Sequence, residues 1–264
     1  KIEELKASAL QENHKEVKYH ASCRPDYTET EAIKKVIELV QNTNCTTYVA
    51  HVSTHGALQL IAQARSEGLP IYSETCPHYF TFNDSYYQKS DSYAANLVMS
   101  PPLRSEENRK GVIHSITEGN VYTIATDHCP FMQSQKNAAN SFADIPNGIG
   151  SIQYRLSLFY SQFVYKQQLN LIQMARLTSS NAARLFHLSA KGQIEIGFDA
   201  DLILWESVEE KLTEQKDYSN SDINSYANEV IYGKARIVIK SGQIVFKDGL
   251  LRPNIPQGHY LYRK

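Results

Sequence analysis

The sequence predicts an α/β fold with a parallel sheet, followed by a smaller portion of antiparallel strands. Three observations predict it. Apolar strand-like runs alternate with stretches of helical periodicity through residues 1–188, the pattern of βαβ units. The runs 46–53, 70–75 and 121–124 each carry or lead into a His, Cys or Asp. From about Ser189 the pattern changes to short strands and a hairpin signal over 235–247, which sets residues 189–264 apart as a second domain.

In chain order, Lys1 to about Gln11 is helical, with Ile2, Leu5 and Leu10 on one stripe. Lys18–Pro25 reads as a loop. A helix follows with Ile33, Val36, Ile37 and Val40 at i, i+3, i+4, i+7, started by a capping box of Thr28 and Glu31. Thr46–Ser53 is a buried strand that carries His51. The next helix, with Leu58, Ile61 and Ala62, stops at Gly68. The strand Pro70–Thr75 leads into Cys76-Pro77-His78-Tyr79, and a polar, Tyr-rich excursion runs on to Arg104. Ser105 starts a helix with Val112, Ile113 and Ile116 that ends near Gly119.

Val121-Tyr-Thr-Ile124 is a further strand, ending on Asp127-His128-Cys129-Pro130. Residues 132–146 are a loop, and a helix covers Ser151–Val164. Two helical stretches, Leu171–Leu177 and Asn181–Leu188, are split by Thr178-Ser-Ser180 as a new N-cap. Gln193–Ile196 and Asp201–Trp205 read as strands, Glu206–Asn228 as an exposed polar excursion, and Leu251–Lys264 as a surface tail.

The totals exclude several classes. With 27 basic and 28 acidic residues the net charge is -1, so no basic excess points to nucleic acid or an anionic membrane. No apolar run is long enough to span a bilayer. Cys23, Cys45, Cys76 and Cys129 lack paired metal-finger spacing and read as reduced thiols of a cytoplasmic protein. The chain has no initiating Met and opens in a helical pattern, as a piece of a longer protein would.

Parallel strands share a direction, so His51, the Cys76–Tyr79 segment and Asp127 fall on one edge of the sheet. In a barrel of parallel strands that C-terminal edge is where chemistry is done. His and carboxylate suit zinc or a similar divalent ion, yet one of each falls short of the three protein ligands of a catalytic zinc. The competing reading makes Asp127 a turn residue that accepts backbone hydrogen bonds and His51 a hydrogen-bonded core histidine. His55 lies one helical turn beyond His51 without an intervening acid. His78 is a ligand, an acid or a loop-stabilising group. His128 and Cys129 shape the Asp127 loop. No Gly-rich phosphate loop and no Gly-x-Ser-x-Gly elbow is present.

Six segments carry a family resemblance. His51-Val-Ser53, Glu74-Thr-Cys-Pro-His-Tyr79, Met99-Ser-Pro-Pro-Leu-Arg104, Ala125-Thr-Asp-His-Cys-Pro-Phe131, Ile145-Pro-Asn-Gly148 and Asp199-Ala-Asp-Leu202 resemble, in that order, the hydantoinase and dihydropyrimidinase branch of the cyclic amidohydrolases. The likeness covers essentially the whole chain. Dihydroorotases tend to carry Asn where Ser100 stands and an Ala-Pro-His ending where Cys129-Pro130-Phe131 stands. Allantoinases differ after Asp127-His128.

The resemblance implies a (β/α)8 barrel plus a small β-sandwich, with residues 1–188 as the barrel's last strands and helices and 189–264 as the sandwich portion and C-terminal tail. It implies two divalent metal ions, usually zinc, bridged by a carboxylated lysine and a hydroxide. His51 becomes a metal ligand and Asp127 both a ligand and the general base, while Ser100 and Asn147 hold the substrate. The implied reaction is hydrolytic opening of a small cyclic amide, a hydantoin or dihydropyrimidine ring, by the metal-bound hydroxide. The implied assembly is a homo-oligomer, a tetramer or dimer.

Two departures accompany it. The family's His-x-His pair, bridging lysine and another histidine ligand would all precede Lys1, so the isolated chain, with about three of eight barrel units, is expected to be inactive and prone to aggregate. Gln153 stands where a glutamate is common in the family. Two rivals remain: a related amidohydrolase such as an allantoinase, and a non-catalytic scaffold like the collapsin-response mediator proteins, which share the fold but have lost metal ligands.

Overall fold

The β-branched and aromatic runs do pair. In the computed structural model, β1 (Thr47–Val49), β2 (Ile71–Thr75) and β3 (Thr123–Ile124) form a parallel sheet in the order β1-β2-β3. Thr47 stands beside Ile71, and Thr75 beside Ile124. The structure describes residues 1–214, 218–253, 255 and 257–263.

The helices are α1 (Ile2–Gln11), α2 (Tyr19–Ser22), α3 (Asp26–Thr43), α4 (His55–Ser66), α5 (Pro77–Thr81), α6 (Asp91–Asn96), α7 (Glu106–Thr117), α8 (Gln133–Asn137), α9 (Arg155–Phe159), α10 (Leu171–Ala175) and α11 (Asn181–Leu185). α4 packs on β2, with α3 and α7 beside it. Ala57, Leu58 and Ile61 of α4, Ile71 of β2, and Val112 and Ile116 of α7 are buried. This is the apolar stripe that the i, i+3, i+4 spacing anticipates. No helix among the described residues is long and apolar enough to cross a membrane. All four cysteines are free.

Several expectations need correction. The stretch 18–25 is not all loop, since it contains α2. The helix expected from Thr28 starts earlier, at Asp26. Thr28 Oγ1 donates to the Pro25 carbonyl at 2.7 Å instead of capping, and so forms no box with Glu31. The stretch 132–146 contains α8. Thr178–Ser180 is no N-cap: a π-helical turn, Arg176–Ser180, carries α10 into α11. Another, Tyr160–Val164, continues α9. Gln193–Ile196 forms no strand, and Ile194 and Ile196 are 90% and 102% exposed. Alternation alone, with no partner strand, does not make a strand.

The second sheet is antiparallel, in the order β4-β5-β6-β7: β4 (Leu202–Lys211), β5 (Val230–Lys240), β6 (Gln243–Lys247) and β7 (Leu250–Leu251). Ser241 and Gly242 join β5 to β6 with φ of 49° and 79°, the left-handed pair of a two-residue hairpin. β4 runs to Lys211 because β5 pairs along its length, with two register shifts. Glu206–Lys211 is therefore strand, not excursion.

Two compact units result: Lys1–Arg155 with Thr213–Ala227, and Leu156–Leu212 with Asn228–Lys264. The change of sequence pattern near Ser189 lies inside the second unit. The rest of the polar excursion is also not simply exposed. Tyr226 is fully buried in the first unit and stacks on Phe82 at 5.2 Å. Residues 215–217 of that excursion, and 254, 256 and 264 of the tail, lie outside the described residues.

Candidate active site

His51 and Asp127 follow the C-terminal ends of the parallel strands β1 and β3, on one edge of the sheet. Both have left-handed backbones, with φ of 41° and 44°. Non-glycine residues adopt this conformation at a cost, and such positions cluster at functional sites.

The backbone around each is fixed from several sides. The His51 N–H donates to Glu74 Oε1 at 3.2 Å, and Glu74 also accepts from the Tyr48 hydroxyl. That hydroxyl lies 2.6 Å from Thr123 Oγ1, so one group spans all three strands. Burial, with Glu74 beside it, raises the Tyr48 phenol above its usual pKa and keeps it protonated as a donor. Downstream, Glu29 of α3 accepts from the Ser53 N–H at 3.0 Å, the Thr54 N–H at 2.9 Å and both hydroxyls. Arg104 lies between Glu29 at 3.3 Å and Asp26 at 3.1 Å and donates to Ser53 Oγ. Thr54 is in turn the N-cap of α4.

The Asp127 loop is fastened to residues 148–155. Ser151 Oγ donates to the Thr126 carbonyl, and the N–H groups of Ser151 and Ile152 point at His128 Nδ1 at 3.0 and 3.2 Å. The Cys129 N–H donates to Ile149, and Arg155 to the Ile124 carbonyl. A Cβ on Gly148 would lie 2.1 Å from the Cys129 carbonyl oxygen, so only glycine allows this approach. Among the described residues no hydrogen bond reaches the Asp127 carboxylate or the His51 imidazole. The local turn is held by His128 and Ser151, and Asp127 is spared that role.

Ser100 and Asn147 are both exposed, on neighbouring segments. The Gly148 N–H donates to the Val98 carbonyl at 3.0 Å. His20 Nε2 meets the Met99 carbonyl at 2.8 Å. Lys136 Nζ donates to the carbonyls of Val98, Pro146 and Gly148. Lys136, Glu29 and His20 went unmarked in the sequence, where a lysine in a loop or a glutamate on a helix signals solvent.

Among the described residues none of the other candidates hydrogen-bonds to His51 or Asp127. His55 faces α7: its N–H donates to Asn108 and its Nδ1 lies 3.0 Å from Ser115 Oγ. His78 is fully buried against Tyr79, with no partner for either ring nitrogen among the described residues. Cys129 is exposed, whereas burial holds the Cys76 thiol well above its usual pKa. Gln153 is exposed and accepts from the Tyr218 N–H. Among the described residues no group of three or more His, Cys, Asp or Glu is placed to hold a metal ion.

The buried histidines predict a pH response. Burial, then the Arg24 charge, pulls His20 down to about 3. Arg24 lies 3.1 Å from His20 Nδ1, which fixes the neutral tautomer with its proton on Nε2. Burial, then His51, pulls His78 to about 3. In the unfolded chain both protonate near pH 6.5. Between these values the unfolded state binds more protons, so stability is complete above about pH 6.5 and falls as pH drops toward 3. The expected slope is up to about 1.4 kcal/mol per pH unit for each histidine. Urea unfolding of the full-length protein from pH 7 to 4 checks it. A His20→Gln variant should reduce the slope by up to about 1.4 kcal/mol per pH unit, and a flat pH profile in the parent would refute the account.

Comparison with known proteins places the chain. The amidohydrolase family model matches residues 3–245. The D-hydantoinase of Geobacillus stearothermophilus is 32% identical over 99% of this chain and 56% of its own length. The dihydropyrimidinase of Rattus norvegicus is 29% identical over 93% of this chain and 48% of its own. The chain thus spans about half the length of the curated relatives it matches. The solved D-hydantoinase of Bacillus sp. AR9 superposes with a TM-score of 0.91 at 33% identity, over 95% of this chain and 56% of that one. The family match extends through nearly the whole sequence and rests on no single motif: the chain belongs to the amidohydrolase family, and its matches lie in the hydantoinase and dihydropyrimidinase branch.

Proposed function

We propose that this chain carries part of the active site of a metal-dependent cyclic amidohydrolase that opens hydantoin or dihydropyrimidine rings. The observation that carries the reading is the pair His51 and Asp127. They follow the C-terminal ends of β1 and β3, the two strands that flank β2 in the parallel sheet, with left-handed backbones and side chains free of hydrogen bonds among the described residues. In this reading residues 1–188 are the last strands and helices of a (β/α)8 barrel, and 189–264 are the small β-sandwich portion and tail.

The donor types fit divalent metal, zinc in particular, but two donors are too few. The remaining ligands, a carboxylated lysine among them, would come from outside this chain. His51 and Asp127 would serve as ligands to such ions, which when bound would supply Lewis acidity toward the ring carbonyl and a water of lowered pKa. Asp127 takes the proton of the water as its oxygen bonds to the ring carbonyl carbon. It then passes that proton to the ring nitrogen as the C–N bond breaks. Ser100 and Asn147 orient the ring's carbonyl and N–H groups. The working protein is a cytoplasmic homo-oligomer, a dimer or tetramer, and the isolated chain is inactive.

Elemental analysis and a substrate panel test this on the full-length protein. Two metal ions per chain, with turnover of hydantoin or dihydrouracil, are expected. Turnover of allantoin alone would move it to another amidohydrolase. Absence of both metal and turnover would make it a scaffold.

A further inference from the structure

Lys136 is 2% exposed, on the one-turn helix α8. Its ammonium group donates to three carbonyls: Val98 at 2.8 Å, Pro146 at 2.8 Å and Gly148 at 2.9 Å. Among the described residues no carboxylate lies within ion-pair distance of it. Three acceptors satisfy the three donors of a protonated lysine. Burial pulls its pKa to about 8, which still leaves the cation dominant at neutral pH.

The three carbonyls are not scattered. Pro146 and Gly148 flank Asn147, and Val98 stands two residues before Ser100. Lys136 Nζ also lies 5.5 Å from the ring centre of Phe131, in the loop that follows Asp127. One cation therefore meets the segments of Ser100, Asn147 and Asp127. Two of these segments are also joined directly, by the Gly148 N–H on Val98. That bond alone leaves the Pro146 and Gly148 carbonyls without the donor that Lys136 supplies.

We propose that Lys136 is a positioning residue for substrate binding: it fixes the spacing between the Ser100 and Asn147 segments, so that both present their polar groups to one ring. The inference rests on the reading of Ser100 and Asn147 as substrate-holding residues. A neutral side chain of the same length would leave buried carbonyls unpaired and let the two segments drift. Drift of about 1 Å is costly to a bound ring.

The test is Lys136→Met in the full-length protein, with metal content, KM and kcat measured on whichever cyclic amide the parent opens. Metal content equal to the parent's, KM raised about tenfold or more and kcat within about threefold are expected, the signature of lost substrate positioning. Parental KM in folded, metal-loaded Lys136→Met overturns the inference while the activity reading stands. If the parent opens no cyclic amide, both fall. If Lys136→Met does not fold, Lys136→Ala is assayed with added propylammonium or tetramethylammonium. KM restored by propylammonium alone supports hydrogen bonding to the carbonyls. Equal rescue by both, or by neither, overturns it.

Discussion

Asp127→Asn in the full-length protein is expected to lower kcat/KM for ring opening by about 10³-fold or more. Proton transfer by a positioned group is worth about 10²–10⁴, and a weakened metal ligand adds to the loss. Asparagine keeps the shape and tolerates the left-handed backbone at φ 44°, so the effect reports chemistry and not folding. The loop is independently held by Ser151 and His128, so the variant should unfold at the parent's urea midpoint. His51→Asn, at φ 41°, is expected to show the complementary pattern, a fall in bound metal first and in rate as its consequence. Activity retained above about a tenth of the parent's in metal-replete Asp127→Asn would remove Asp127 from the chemistry.

What was legible in the sequence follows from where the information is local. Strands β1, β2 and β3 announce themselves by β-branched and aromatic runs, and their shared direction follows from the helices between them. That places His51 and Asp127 on one edge without any coordinates. Groups whose role depends on distant partners were not legible. Lys136 reaches carbonyls 38, 10 and 12 residues away, and nothing about a lysine in a polar stretch announces a buried cage. Tyr226 sits in a stretch of mixed charge, and its burial depends on Phe82, far back in the sequence. Gln193–Ile196 failed in the opposite sense: it has the strand pattern and no strand to pair with.

Glu29 belongs to the same class, and its removal is expected to cost the most stability. Its carboxylate accepts two backbone N–H groups and two hydroxyls at the turn after His51, and it faces Arg104, which is 6% exposed. Glu29→Ala strands those donors and removes one partner of a buried cation. Breaking a buried pair costs about 3–5 kcal/mol. Arg104 keeps Asp26 at 3.1 Å and the Arg24 carbonyl, so its charge is not left alone and the lower end, about 3 kcal/mol, is expected. The same turn carries His51, and Thr54 caps α4, so the lost stability and the lost metal should go together. Urea unfolding and metal content of full-length Glu29→Ala therefore measure one event. A variant within about 1 kcal/mol of the parent that keeps its metal would mean that Glu74, through the His51 N–H, holds the turn without help from α3.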